Sequence, residues 1–164
     1  MVDVITESDM IFIPDNTFHI EDSSLYKSLG EGIKSVEFVR IKDRDLMFVE
    51  ARKSFPNPEN IDAENLTKFH TQIDEISEKF LHSLNLLSSV EVGVANGNYP
   101  DDFILPDKLS LVFVFVIKDH ETKWCRFIRL KLLENLPTYL KTIWRPEVFV
   151  INHQTAVNRK LAVD

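Results

Sequence analysis

The chain has little cysteine and little glycine. Cys125 is the only cysteine among 164 residues, which excludes an internal disulfide and a zinc site built from several cysteines. We interpret it as a half-buried structural thiol, because free cysteine behaves as a small hydrophobic residue. Only four glycines are present, and no glycine-rich nucleotide-binding loop or nucleophile elbow occurs. These absences argue against dinucleotide-binding, P-loop and α/β-hydrolase sites.

Long hydrophobic runs are also lacking. The longest, residues 109–117, is about half the length that a bilayer requires. The first ten residues include Asp3, Glu7 and Asp9 and no basic stretch, so no signal peptide is expected. With 44% hydrophobic and 27% charged residues, the composition is that of a globular protein. We therefore expect a single cytoplasmic domain over residues 1–164 with no membrane contact.

The net charge of −7 argues against a general nucleic-acid binder, because phosphate contacts need Lys and Arg. The charge is unevenly distributed: residues 108–164 contain ten Lys or Arg and five Asp or Glu. In this basic part, Trp124, Arg126, Arg129 and Trp144 form a candidate stacking surface for nucleic acid. Ordinary packing of amphipathic helices is the alternative interpretation.

The first half of the chain predicts short strands and one long helix. Residues 10–13 and 17–20 are expected to be strands, and a short helix begins after Ser23. Residues 62–89 carry one apolar stripe at helical spacing, formed by Leu66, Phe69, Ile73, Ile76, Phe80, Leu84 and Leu87. The polar residues between them, Glu75 and Lys79 included, are assigned to the solvent-facing side.

The second half predicts strands separated by helices. Residues 90–95 are a candidate strand, and residues 109–117 are apolar on both faces, as in a central strand covered by helices. A helix over residues 121–142 is expected to be interrupted at Pro137. A strand at 148–152 and a helix at 155–161 follow. The order predicts a mixed α/β sheet with an antiparallel hairpin, parallel strands and helices on both faces.

The predicted hairpin brings two acidic residues together. Strands at 35–41 and 45–52 are joined by a polar tip, and symmetric pairing places Glu37 opposite Glu50. Their side chains share one face and are expected about 5 Å apart. Arg52 lies on the same face, where its guanidinium can neutralise the pair or bind a phosphate oxygen.

Such a pair needs a cation or a shared proton, because neighbouring carboxylates repel each other. Proteins ordinarily neutralise such a pair with Mg²⁺ or Mn²⁺, which is held by one or two carboxylates together with substrate phosphate. A divalent metal also activates an attacking water in phosphodiester cleavage. Glu37 and Glu50 are therefore candidate metal ligands and catalytic residues.

Glu37, then Glu50-Ala51-Arg52 on the antiparallel neighbour, then a long helix resembles the PD-(D/E)xK nuclease superfamily, over roughly residues 23–117. The resemblance implies a restriction-endonuclease-like core and Mg²⁺-dependent endonuclease or exonuclease activity. It also implies a further acid before the first strand, for which Glu31 is the nearest candidate. Arg52 occupies the position of the family's lysine, where it can act only electrostatically.

Two other interpretations remain open. In one, Glu37 pairs with Arg52 or Lys34, Glu50 lies in water at a strand end, and the acids have no chemical role. In the other, the scaffold is a non-catalytic module that binds a protein partner or regulates a larger assembly. The sequence leaves the choice between nucleic acid and protein as partner, and the formation of a homo-oligomer, undecided.

Overall fold

The computed structural model describes residues 4–164. Eight strands and four α-helices are present in this part of the chain: β1 (Ile5–Glu7), β2 (Met10–Phe12), β3 (Thr17–Phe18), α1 (Ser24–Ser28), β4 (Phe38–Lys42), β5 (Asp45–Arg52), α2 (Ala63–Glu91), β6 (Ser110–Ile117), α3 (Thr122–Asn135), β7 (Glu147–Asn152), α4 (His153–Asn158) and β8 (Ala162–Val163). No helix among the described residues is both long enough and apolar enough to cross a membrane.

A five-stranded mixed sheet lies at the centre, in the order β3-β4-β5-β6-β7. Its first two pairings are antiparallel and its last two are parallel. The helices α2 and α3 form the two connections between parallel strands. A smaller antiparallel sheet contains β1, β2 and β8. The predicted mixed α/β class, with an antiparallel hairpin followed by parallel strands, is confirmed.

The hairpin between β4 and β5 has the register that symmetric pairing predicts. Lys42 pairs with Asp45 at the tip, and Phe38 pairs with Val49 at the open end. Asp43 in the two-residue turn has φ of 56°, a left-handed conformation that aspartate tolerates better than most residues. This register fixes which side chains of the two strands share a face.

The two faces of the central sheet are covered differently. One face packs Phe48 and Phe113 against α2 and α3, and Phe80 of α2 stacks on Phe113 with ring centroids 4.6 Å apart. The opposite face, with Val49 and Val114, is covered by the small sheet and by α4. Because β6 is buried on both faces, its sequence is continuously apolar, as predicted for a central strand.

Several predicted elements differ in extent. Residues 90–95 are not a strand, because α2 continues to Glu91 and a turn follows. The helix predicted over 121–142 ends at Asn135, ahead of Pro137, and one turn of π-helix, Leu140–Trp144, comes next. That turn stops at Arg145, whose φ of 47° is left-handed.

Replacement of Phe80 by alanine tests the packing of α2 on the sheet. The Phe80→Ala variant should lose about 3–5 kcal/mol of unfolding free energy, since the phenyl ring is buried against Phe113. Urea denaturation measures the loss. Leu66→Ala is the control on the same helix, because Leu66 is 37% exposed. Equal losses in the two variants would contradict this packing.

Candidate functional site

A buried ion pair links the central sheet to α2. Glu50 lies on the α2 side of β5, and its side chain has no exposed surface. Its Oε1 atom accepts a hydrogen bond from the Lys79 ammonium at 2.8 Å and one from Arg52 Nε at 3.3 Å. Glu50 Oε2 is buried and has no hydrogen-bond partner among the described residues. One oxygen of this carboxylate is therefore doubly bound, and the other is left unpaired.

Glu37 lies next to Glu50, one residue before β4 begins. The last residue pair of the hairpin ladder joins Phe38 to Val49, so Glu37 and Glu50 occupy the following positions on the α2 face. The negative charge of Glu37 acts directly on Glu50. The structure thus brings together the two carboxyl groups that the sequence predicts to be neighbours.

Glu7 of β1 is a third carboxyl group at this site, close enough to Glu37 for each side chain to shift the pKa of the other. Burial, and after it the proximity of Glu7, raises the pKa of Glu37 and so favours its protonated form. Glu21 contributes further negative charge to both residues. We call Glu7, Glu21, Glu37 and Glu50 the acidic cluster.

Burial raises the pKa values of Glu7, Glu37 and Glu50. It raises the pKa of Glu37 to about 7, and the charge of Glu7 adds to the rise. Burial likewise raises the pKa of Glu50 to about 7, with the charge of Glu37 adding to it, while Lys79 and Arg52 oppose the shift. Desolvation and carboxylate repulsion therefore exceed the stabilisation that the two cations provide.

The tip of the β1–β2 hairpin contacts the end of β5 through a hydrogen bond and an ion pair. Ser8 Oγ donates a hydrogen bond to the carbonyl oxygen of Ala51 at 3.0 Å, and Asp9 forms an ion pair with Lys53 at 2.7 Å. Both turn residues are left-handed, with φ of 52° at Ser8 and 60° at Asp9, as in tight two-residue hairpins. These contacts hold Glu7, the residue before the turn, against the site.

The other two predicted site residues have different surroundings. Arg52 belongs to the site, and its guanidinium bridges Glu50 and Glu75, donating to Glu75 at 2.8 Å. Glu31 lies exposed in the turn that contains Gly32, and no described contact joins it to Glu50. Glu7, and not Glu31, is the additional carboxyl group that lies near Glu37.

The sequence does not predict that Lys79 and Glu7 lie at the site, and the reasons differ. The helical pattern assigns Lys79 to the solvent-facing side of α2, yet its side chain is only 15% exposed and turns toward Glu50. Its position next to buried Phe80 is a weak signal, because long lysine side chains often cover apolar surface. Glu7 reaches the site through a contact between elements distant in sequence, which no local pattern reports.

The arrangement favours a cation without forming a complete metal cage. No group of three or more His, Cys, Asp or Glu side chains within residues 4–164 is placed to hold a metal ion. Glu37 and Glu50 nevertheless offer hard oxygen atoms, and Oε2 of Glu50 has no hydrogen-bond partner within residues 4–164. Two carboxylates completed by substrate phosphate are an ordinary Mg²⁺ site.

The candidate stacking surface is only partly available. Arg129 is engaged within the fold, donating to the carbonyl oxygen of Val148 at 2.6 Å. Trp124 is half-buried and stacks edge-on against His120. Trp144 and Arg126 are exposed. Two of the four residues thus have structural roles.

Comparisons with protein-family models, with curated proteins and with solved structures find no match to this chain. The residues that distinguish the site are therefore identified by geometry alone. They are the acidic cluster, together with Lys79 and Arg52.

A double-mutant cycle tests the buried pair. Lys79→Met should cost about 1–3 kcal/mol of unfolding free energy, because the buried Glu50 carboxyl group loses its hydrogen-bonded cation and must take up a proton. In the Glu50→Gln/Lys79→Met protein, part of that loss should be recovered, with a coupling of about 0.5–3 kcal/mol. Urea denaturation of the four proteins at neutral pH measures the coupling.

The control for that cycle is Lys34→Met. Lys34 pairs with Glu78 at 2.6 Å, but both side chains are more than 40% exposed. Its removal should therefore cost less than about 1 kcal/mol. Additive effects of the Lys79 and Glu50 substitutions would show that the two side chains do not interact energetically.

The raised pKa values predict a pH-dependent stability in metal-free buffer. Glu37 has a pKa of about 7 in the folded protein against 4.5 ordinarily, so the folded state binds more protons between these values. The unfolding free energy contributed by Glu37 should therefore fall as the pH rises from about 4.5 to about 7.

The difference in unfolding free energy between the parent protein and Glu37→Gln isolates this contribution from those of other carboxyl groups. Urea denaturation in EDTA at several pH values measures it. A difference that stays constant from pH 5 to pH 7 would show that Glu37 titrates normally.

Proposed function

We propose that this chain is a metal-dependent nuclease-like domain that cleaves nucleic-acid phosphodiesters in the cytoplasm. The observation that carries the proposal is the state of Glu50. This carboxylate is fully buried, lies beside Glu37 and is bound to Lys79 through one oxygen. Its other oxygen has no hydrogen-bond partner among the residues that the structure describes. Leaving a buried carboxylate oxygen unsatisfied is costly, which a ligand at this position would explain.

Glu37 and Glu50 are the proposed ligands of Mg²⁺ or Mn²⁺, and Glu7 is the nearest additional carboxyl group. The bound ion would supply Lewis-acid stabilisation of phosphoryl charge and a more acidic water. The negative charge of the acidic cluster, raised in energy by desolvation, favours a cation at this end of β4 and β5. The small number of protein ligands agrees with the preference of Mg²⁺ for retaining water and phosphate oxygens.

Lys79 is the proposed basic residue of the site. Its ammonium lies 2.8 Å from Glu50 Oε1, so it fixes the orientation of the carboxylate and places a cation beside it. Lys79 on α2 therefore brings a lysine to the site, whereas β5 carries Arg52 at the position of the superfamily's lysine. Arg52, held by Glu75, contributes positive charge toward phosphate.

The order of elements supports the same proposal. Glu37 precedes a strand that is antiparallel to the strand of Glu50, and α2 then leads to the parallel neighbour β6. The resemblance to the PD-(D/E)xK superfamily implies this arrangement. A topology of this kind hosts activity only where the site chemistry is present, so the proposal depends on the acidic cluster and Lys79.

A non-catalytic interaction module is the second candidate. Glu50 has no exposed surface and already contacts two cations, which also suits a structural ion pair that fastens α2 to the sheet. In this case the scaffold would bind a protein partner without cleaving nucleic acid. Metal binding and catalysis are therefore measured separately.

Calorimetric titration of Mg²⁺ and Mn²⁺ tests the metal site. The parent protein should bind, and Glu50→Gln should weaken binding by more than about tenfold because a charged ligand is lost. Glu64→Gln is the matched control, since Glu64 is exposed on the same helix as Lys79 and pairs only with Lys68 at 3.1 Å. No heat of binding at millimolar metal would contradict the proposed site.

Incubation with plasmid DNA, single-stranded DNA and RNA in Mg²⁺ or Mn²⁺ tests catalysis. Cleavage should be lost in Glu50→Gln and in Lys79→Met and retained in Glu64→Gln. Metal binding without cleavage of any of the three would favour the non-catalytic module. Cleavage that survives both site substitutions would place the activity elsewhere or in a contaminant.

A further inference from the structure

A second recess lies on the opposite face of the central sheet. It is a half-open groove of about 380 Å³ between the sheet and the segment that follows α4. Its floor is apolar and consists of Met47, Val112, Val114, Phe149 and Ile151. Because side chains alternate along β5, Met47 points away from the face that carries Glu50. The groove is therefore separate from the acidic cluster.

Arg40 is the buried charge of this groove. Arg40 is only 6% exposed, and its Nη1 donates a hydrogen bond to the carbonyl oxygen of Lys160 at 3.2 Å. Nε is buried and has no acceptor among the described residues, and no described carboxylate forms an ion pair with the guanidinium. Asp15 is the acidic residue whose charge reaches it. An unpaired buried guanidinium is costly and calls for an anion.

The other charged residues of the groove set the charge of its ligand. Lys42, Arg159 and Lys160 add three cations, and the guanidinium of Arg159 lies 4.7 Å from the ring centroid of Phe149. Three acids stand at the rim, Asp43, Asp45 and Glu147. Among the residues that line the groove the cations, Arg40 included, exceed the acids by one, and Asp15 outside the lining offsets this excess. The buried Nε of Arg40, which has no acceptor among the described residues, therefore calls for a single anionic group, whereas the rim acids repel a polyanion.

We infer that this groove binds a small organic acid, with one anionic group on the free edge of the Arg40 guanidinium and an apolar body on the Met47–Phe149 floor. Its volume lies in the range of pockets that hold drug-sized ligands. The Nε edge of a guanidinium matches a planar or tetrahedral oxyanion. An apolar floor beneath one charge selects an amphipathic anion over inorganic phosphate.

Two fluorescent probes of nearly equal shape test the inference. 8-Anilinonaphthalene-1-sulfonate carries one negative charge, and N-phenyl-1-naphthylamine is the same ring system without it. The parent protein should bind the anionic probe, and Arg40→Met should weaken that binding by about tenfold or more, since a charge-assisted contact is lost. Affinity for the neutral probe should be nearly unchanged.

Arg159→Gln is the second variant, because Arg159 is exposed and its replacement should not endanger folding. It should weaken binding of the anionic probe by a smaller factor than Arg40→Met does. Arg126→Gln, which removes an exposed cation from α3, is the control and should have no effect. Amide shifts in NMR spectra should locate the probe at Met47 and Lys160.

Equal affinity of the parent protein and both groove variants for the anionic probe would overturn the inference. Shifts confined to residues outside the groove would overturn it as well. Since neither readout involves metal or nucleic acid, its failure is independent of the proposed nuclease function.

Discussion

The contact between Glu50 and Lys79 unites the fold and the candidate site. It crosses from β5 to α2 on the face of the sheet that packs against this helix. A charge pair removed from water stabilises a protein less than its distance suggests, because desolvation offsets the attraction. Apolar residues of similar volume often hold a helix on a sheet equally well. The buried pair is therefore weak evidence for a purely stabilising role.

The surrounding residues strengthen this interpretation. Glu37 adds negative charge beside a carboxylate that burial already makes unfavourable. The β1–β2 hairpin brings Glu7 to the same place, and its tip is held there by Ser8 and Asp9. A structural ion pair needs no additional acids, and each one lowers stability unless a cation joins them. The fold therefore assembles a negative site from three separate segments.

Much of this arrangement could be predicted from the sequence, because the signals are local. The polar tip after Lys42 determines the hairpin register, and that register places Glu37 beside Glu50. The apolar stripe of α2 and the continuously apolar β6 likewise follow from periodicity. The candidate strand at residues 90–95 was wrong, because a short apolar run at a helix end has no distinct period.

The remaining parts of the site are non-local. Lys79 belongs to a polar helical face by its spacing, and only the packing of α2 on β5 brings its ammonium to Glu50. Glu7 arrives through a hairpin whose docking depends on Ala51 and Lys53. Arg40 is a similar case, because the segment after α4 covers its guanidinium. The energy of a charged side chain depends on how far tertiary contacts remove it from water. A sequence does not show this desolvation, so it does not reveal which charged residues are functionally important.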